Sequence, residues 1–145
     1  MDNVPECFYR VSVKALILNE TRDKFLVCKK KSGVWELPGG GLDWGMSPQD
    51  ELAREIDEEM SIKVTKVADH PSYFLTGQTL IRQQWVANVI YEAELEHLNF
   101  SPSDECIELK FFSSEEARQV PHLPQVTAFI EQLERVQNAH GAPGY

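Results

Sequence analysis

The sequence predicts an α/β (α+β) protein: a mixed sheet with helices on both faces, an α/β/α sandwich. Three observations lead there. Strand-like segments arrive in hairpin-like pairs, which disfavours a doubly wound parallel sheet. Helical patterns fall between and after these pairs at irregular intervals. Apolar positions alternate in the first segments but recur every four residues at Leu52, Ile56 and Met60.

Val11, Val13, Ala15 and Ile17 alternate with Ser12, Lys14 and Leu16, predicting a strand over 8–18. The polar run 19–24 is a turn, and 25–30 is expected as the return strand of a hairpin. After a turn at Lys31-Ser32-Gly33, residues 34–37 form a short strand, and Pro38-Gly39-Gly40-Gly41 is expected to break regular structure. A helix then starts cleanly. Ser47 suits the N-cap, Pro48 the first helical position, and Asp50 the capping-box spacing. Two longer strands, 63–78 and 79–95, are expected to turn at Thr76-Gly77-Gln78. A loop at 97–104 leads to a last strand at 106–112 and a short helix capped by Ser113. Val126, Phe129, Ile130, Leu133 and Val136 mark a final amphipathic helix, and 140–145 is expected as a loose tail.

The 145 residues suit a single domain, 1–145. Such a chain buries about 68–70% of its unfolded surface and needs no disulfide to hold its core. Hydrophobic content of 42% and charged content of 26% exclude a disordered or collagen-like chain. The formal net charge of −9 repels phosphate on average, so nucleic acid is a disfavoured partner and local cations must hold any phosphate substrate. No apolar run reaches membrane-spanning length, so no membrane partner is expected. Cys28 and Cys106 lie in apolar stretches and read as separate buried thiols. With no signal-like N-terminus, the expected location is cytoplasmic.

The helix from Ser47 to Ser61 carries Asp50, Glu51, Glu55, Asp57, Glu58 and Glu59 against one base, Arg54. Glu51, Glu55, Glu58 and Glu59 project from one side, since successive residues turn by about 100°. Glu51–Glu55 and Glu55–Glu59 are repelling i,i+4 pairs, and the later ones lie where the helix dipole disfavours anions. A hard divalent cation resolves the conflict; a solvated acidic face is the alternative. The preceding glycines favour the cation, because they let backbone come close to a ligand.

The stretch Gly40 to Ile62 resembles the Nudix box, G-x5-E-x7-R-E-U-x-E-E-x-G-U, with U aliphatic. The first Gly, the run Arg54-Glu55-Ile56-Asp57-Glu58-Glu59 and the final Ile62 match at the required spacing. Met46 stands where the pattern has Glu, and Ser61 where it has Gly. The resemblance implies a Nudix-type fold and metal-dependent hydrolysis of a nucleoside diphosphate linked to another group. It implies Mg²⁺ or Mn²⁺ held by Glu55, Glu58, Glu59 and the Gly39 carbonyl. Arg54 becomes a structural residue that has lost its usual partner at Met46, with Asp43, Asp57 or another nearby acid expected to serve instead. Glu55 ranks first as general base and Glu105 second. Glu105 and Glu108 resemble a downstream family segment that supplies a base, an extra ligand or a substrate contact. Of Lys29 and Lys30 only one can face the phosphates, because adjacent strand residues point oppositely; Arg10, Lys14 and Arg82 are weaker candidates. Trp44, in the loop beside the box, is the expected aromatic substrate contact.

Markers of the family's ADP-ribose and dinucleoside polyphosphate hydrolases are missing after the box. The favoured substrate is therefore a small (d)NTP or NDP-type nucleotide. The alternatives are a nucleotide sugar, an RNA 5′ end, or nucleotide binding without catalysis; a homodimer is compatible with all of these.

Overall fold

A computed structural model describes residues 6–79 and 82–141. The strands are β1 (Arg10–Leu16), β2 (Phe25–Lys29), β3 (Trp35–Glu36) and β4 (Gly39–Gly41), then β5 (Val64–Val67), β6 (Tyr73–Gln78), β7 (Trp85–Leu95) and β8 (Glu108–Phe112). The helices are α1 (Pro48–Met60), α2 (Ser114–Arg118) and α3 (Pro124–Gly141). No helix among the described residues is long and apolar enough to cross a membrane.

The main sheet is mixed. β1 runs parallel to β7 and antiparallel to β4, and β5 and β6 both pair antiparallel with β7. β2, antiparallel to β3 and β8, forms a second, three-stranded sheet. Alternation on β1 sorts the core into two layers. Val13, Ala15 and Ile17 pack with Leu52, Ile56 and Met60 of α1, whereas Leu16 joins Phe25, Leu75, Ile90 and the α3 residues Val126, Phe129 and Ile130. The expected helices on both faces are therefore present.

Four local expectations change. β1 and β2 are not a paired hairpin. Their ends are linked by a Leu18–Phe25 bridge and a Leu26 N–H bond to Ile17 O, and the strands then part into different sheets. β2 leaves because Phe25 through Cys28 are buried on both of its faces, which a simple hairpin edge cannot provide. The glycine run is not irregular: Gly39–Gly41 is β4. Gly39, at φ 132°, faces the Val13 carbonyl so closely that any Cβ would collide with it, so this strand can pair with β1 only as glycine. The segment 63–78 is split where Pro71 cannot donate to a ladder, and its two halves pair consecutively along β7. Thr76-Gly77-Gln78 belongs to β6; the reversal lies between Gln78 and Trp85, closed by Thr79 N–H to Gln84 O at 2.8 Å.

Further on, α3 continues through Gly141, so His140 and Gly141 are helical, and the rest of the expected tail, 142–145, lies outside the described residues. Cys28 and Cys106, expected as separate thiols, are joined in a disulfide with a Cα–Cα distance of 5.8 Å. Pairing of β2 with β8 brings together cysteines 78 residues apart, and nothing local in the sequence announces that.

The start of α1 is as expected, with Ser47 Oγ accepting the Asp50 N–H at 3.3 Å. Its end carries strain. Ser61 caps the helix at φ 57°, ψ 38°, where an L side chain is disfavoured and glycine is not. Ser61→Gly is expected to raise stability by about 0.5–1 kcal/mol, after the extra freedom of glycine in the unfolded chain is subtracted. Chemical denaturation of the two proteins checks this; equal midpoints would mean Ser61 holds a compensating contact.

Candidate active site

The site forms where α1 crosses the glycine strand. A Cβ on Gly40 would lie 2.6 Å from the Glu55 carboxyl carbon, so glycine there leaves the end of that side chain room against β4. From the other side comes the loop before β8. Ser103 Oγ donates to the Glu59 carbonyl at 2.7 Å and accepts the N–H groups of Glu105 and Cys106 at 3.2 Å each. This one hydroxyl ties Glu105 to the end of α1. Carboxylate oxygens of Glu55, Glu59 and Glu105 thereby lie within 4.8 Å of one another.

Glu59 is the unusual member. It is 2% exposed, and its Oε2 has no hydrogen-bond partner among the described residues. Burial pushes its carboxyl up to about 7, against the pull of Lys30 and Lys14 and with the help of Glu36 and Glu55. Glu55 is raised too, chiefly by burial and partly offset by Arg54. Two lysines border the acids. Lys30 Nζ is 2.9 Å from Glu36 Oε1 and 3.8 Å from Glu59 Oε2. Lys14 is buried, 3.9 Å from the same Glu36 oxygen, and donates to Gly39 O at 3.3 Å. Burial opposes the charge on Lys30, but Glu36 and then Glu59 outweigh it and leave its pKa raised. Carboxylates packed beside one another, with one buried oxygen that makes no hydrogen bond, fit a divalent cation: Glu55, Glu59 and Glu105 would hold it, and it would add positive charge between them.

Other expected residues fall around this centre. Lys30, not Lys29, faces the acids; Lys29 lies over the Trp35 ring and 3.7 Å from Glu108. Glu108 is exposed and outside the acidic trio. Glu58 is exposed, 2.6 Å from Arg54 Nη1, and also outside the trio. Trp44 is fully exposed in its loop. Arg82 lines the same cleft as Lys14 and Lys30.

Arg54 is held by nearby acids of its own helix, and Asp43 and Asp57 are not among them. Asp43 is engaged by Arg10 at 3.4 Å. Arg54 instead binds Glu51 and Glu55 through Nη2 and Glu58 through Nη1, and Glu51 and Glu58 raise its pKa. Glu51 is 1% exposed, a buried acid that sequence reasoning left without a role. The i,i+3 spacing to Arg54 was the signal for it. Ser103 and Glu36 carried no such signal, since loop contacts and sheet register place them. Because Arg54 is fully engaged and Met46 is exposed, Met46→Glu is expected to leave activity within about twofold. Steady-state kinetics checks this, and a large gain would mean Glu51 is an inadequate partner.

The family model described as the NUDIX domain matches residues 8–133. The chain belongs to the Nudix family. Its fold superimposes on the MutT protein of Methanosarcina mazei Go1 with a TM-score of 0.75 and 26% identity, covering 92% of this chain and 99% of that one. Among curated relatives, an RNA pyrophosphohydrolase of Ruthia magnifica is 35% identical over 60 residues, 41% of this chain and 34% of its own length. A putative 8-oxo-dGTP diphosphatase of Bacillus subtilis is 39% identical over 51 residues, 35% of this chain and 34% of its own length. The chain thus spans about a third of the length of these two relatives. The exposed Met46, a departure from the Nudix box pattern, leaves the acidic trio in place.

Proposed function

We propose that this Nudix chain is a divalent-metal-dependent pyrophosphohydrolase of a small nucleoside di- or triphosphate. The observation that carries the reading is the buried Glu59 carboxylate, one oxygen of which makes no hydrogen bond, packed against Glu55 and Glu105 with two lysines beside it. Mg²⁺ or Mn²⁺ would be held by Glu55, Glu59 and Glu105, with Glu58 and the Gly39 carbonyl at its margin. When bound it supplies positive charge to the phosphoanhydride oxygens and acidifies water. Lys30 and Lys14 hold the phosphates at the cleft end nearest the acids. Glu55, or Glu105 in its place, accepts a proton as water oxygen bonds to phosphorus and the bridging P–O bond breaks. The leaving phosphate oxygen departs as an anion that Lys30 can stabilise.

A second reading, hydrolysis of an RNA 5′ end, is supported by relatives named RNA pyrophosphohydrolase and opposed by the net charge of −9. Phosphate and pyrophosphate release from mononucleotides, nucleotide sugars and a 5′-triphosphorylated oligonucleotide, with Mg²⁺ or Mn²⁺ and after chelation, separates these. Mononucleotides are expected to be the best substrates. Faster turnover of the oligonucleotide would favour the RNA reading, and no turnover of any would favour binding alone.

A further inference from the structure

Lys14 and Lys30 form one end of a cleft of about 650 Å³, within the range of small-molecule sites. The rest of that cleft has a different chemistry. Val34, Val86, Leu123 and Pro124 give it apolar walls. Its floor is β1 beside β7, in parallel register with Ser12 opposite Asn88. Lys14 lies two residues further along β1, on the same face and roughly 7 Å away. Phosphates held by the lysines would therefore place the attached nucleoside toward Asn88.

Asn88 is 3% exposed, yet it lines this cleft. Its amide orientation follows from a chain of hydrogen bonds. The Leu37 N–H can only donate, so the Gln125 atom it meets at 3.3 Å is Oε1. That turns Gln125 Nε2 toward Asn88, and the atom it meets at 3.5 Å is Oδ1. Asn88 Nδ2 is left with no protein acceptor among the described residues. The floor thus presents N–H donors, from Asn88 Nδ2 and the second hydrogen of Gln125 Nε2, between apolar walls that suit a flat ring.

We propose that Asn88, oriented by Gln125, reads the base of the bound nucleotide and selects bases that show two adjacent acceptors on one edge. These are the O6/N7 edge of a keto-purine and the O2/N3 edge of cytosine. Adenine sets its N6 donor beside N7, and uracil sets its N3–H between two carbonyls, so each leaves a donor facing a donor. Discrimination then comes from polar groups that the wrong base leaves unpaired. The inference rests on this cleft being the nucleotide site of the proposed hydrolase.

Calorimetry with hydrolysis-resistant α,β-methylene triphosphates of guanosine, inosine, cytidine, adenosine and uridine, in Mg²⁺, tests it. Guanosine and inosine together, or cytidine, are expected to bind about tenfold or more tighter than adenosine and uridine. Loss of the guanosine advantage in its 7-deaza analogue would assign the edge to the keto-purine; preferred cytidine would assign it to the pyrimidine. Asn88→Leu should flatten the series to within about threefold, and Asn88→Asp, which swaps the donor for an acceptor, should shift preference toward adenosine. Adenosine or uridine binding as tightly as the best base, or a preference that survives Asn88→Leu, would overturn the proposal. The expected preference without turnover of ordinary triphosphates would remove the hydrolase reading and leave the base reader. Equal turnover and equal binding of all five would do the reverse.

Discussion

Glu59→Gln is expected to lower turnover by about 10³-fold or more while making the metal-free protein more stable at pH 8. The loss follows because the transition-state charge stabilisation a bound cation supplies, several kcal/mol, is surrendered with its buried ligand. The gain in stability follows from the raised carboxyl. An unfolded Glu titrates near 4.5 and the folded Glu59 at about 7. Between those values the native state keeps a proton that the unfolded state has lost, so stability falls as pH rises through the window and is flat above it. The total is about 3 kcal/mol, from roughly 1.4 kcal/mol per pH unit, and Glu55 acts in the same direction. Asp23, Asp104, Glu116 and Glu134 have lowered values, so their contributions are lost only at more acid pH and leave the window clear. Thermal melts of the chelated protein from pH 5 to pH 8 should therefore fall in wild type and fall less steeply in Glu59→Gln, where only the Glu55 contribution remains. Parallel curves would mean that Glu59 is not the group held protonated.

Leu52→Ala is expected to cost about 2–5 kcal/mol, measured by urea denaturation. Leu52 is fully buried between α1 and the Val13–Ala15–Ile17 face of β1, where a lost isobutyl group leaves a void. The same change should weaken metal binding only slightly, since α1 stays in place while the protein is folded. A cost well below 1 kcal/mol would mean the helix face is wrongly assigned.

These two residues also mark what sequence reading reached. α1 was legible because its signals are local: the Ser47 cap, Pro48 and the four-residue apolar stripe are all within one helix. The crowding of its acids was legible for the same reason, since Glu51, Glu55, Glu58 and Glu59 fall on one side of one helix. What was not legible depends on pairing between distant segments. β2 could join β1 or another sheet, and only its register with β8, with Lys29 opposite Glu108, decides that Lys30 is the lysine turned to the acids. Glu105 was named only through the resemblance of its segment to the family's, because the Ser103 hydroxyl that ties it to α1 lies on a loop whose sequence shows no periodicity. The β4 strand looked like a breaker because glycine ordinarily weakens strands, whereas here the approach of the Val13 carbonyl requires it at Gly39. That a nearby acid holds Arg54 was legible; that it is Glu51, one helical turn before it, is decided by the burial of Glu51.

The most direct test of the metal centre is a calorimetric titration of Mn²⁺ into metal-free wild type, Glu59→Gln and Glu108→Gln. Glu108 serves as the control because it is an exposed acid outside the trio. Wild type and Glu108→Gln are expected to bind alike, and Glu59→Gln to show no comparable binding. Undiminished Mn²⁺ binding by Glu59→Gln would contradict the account.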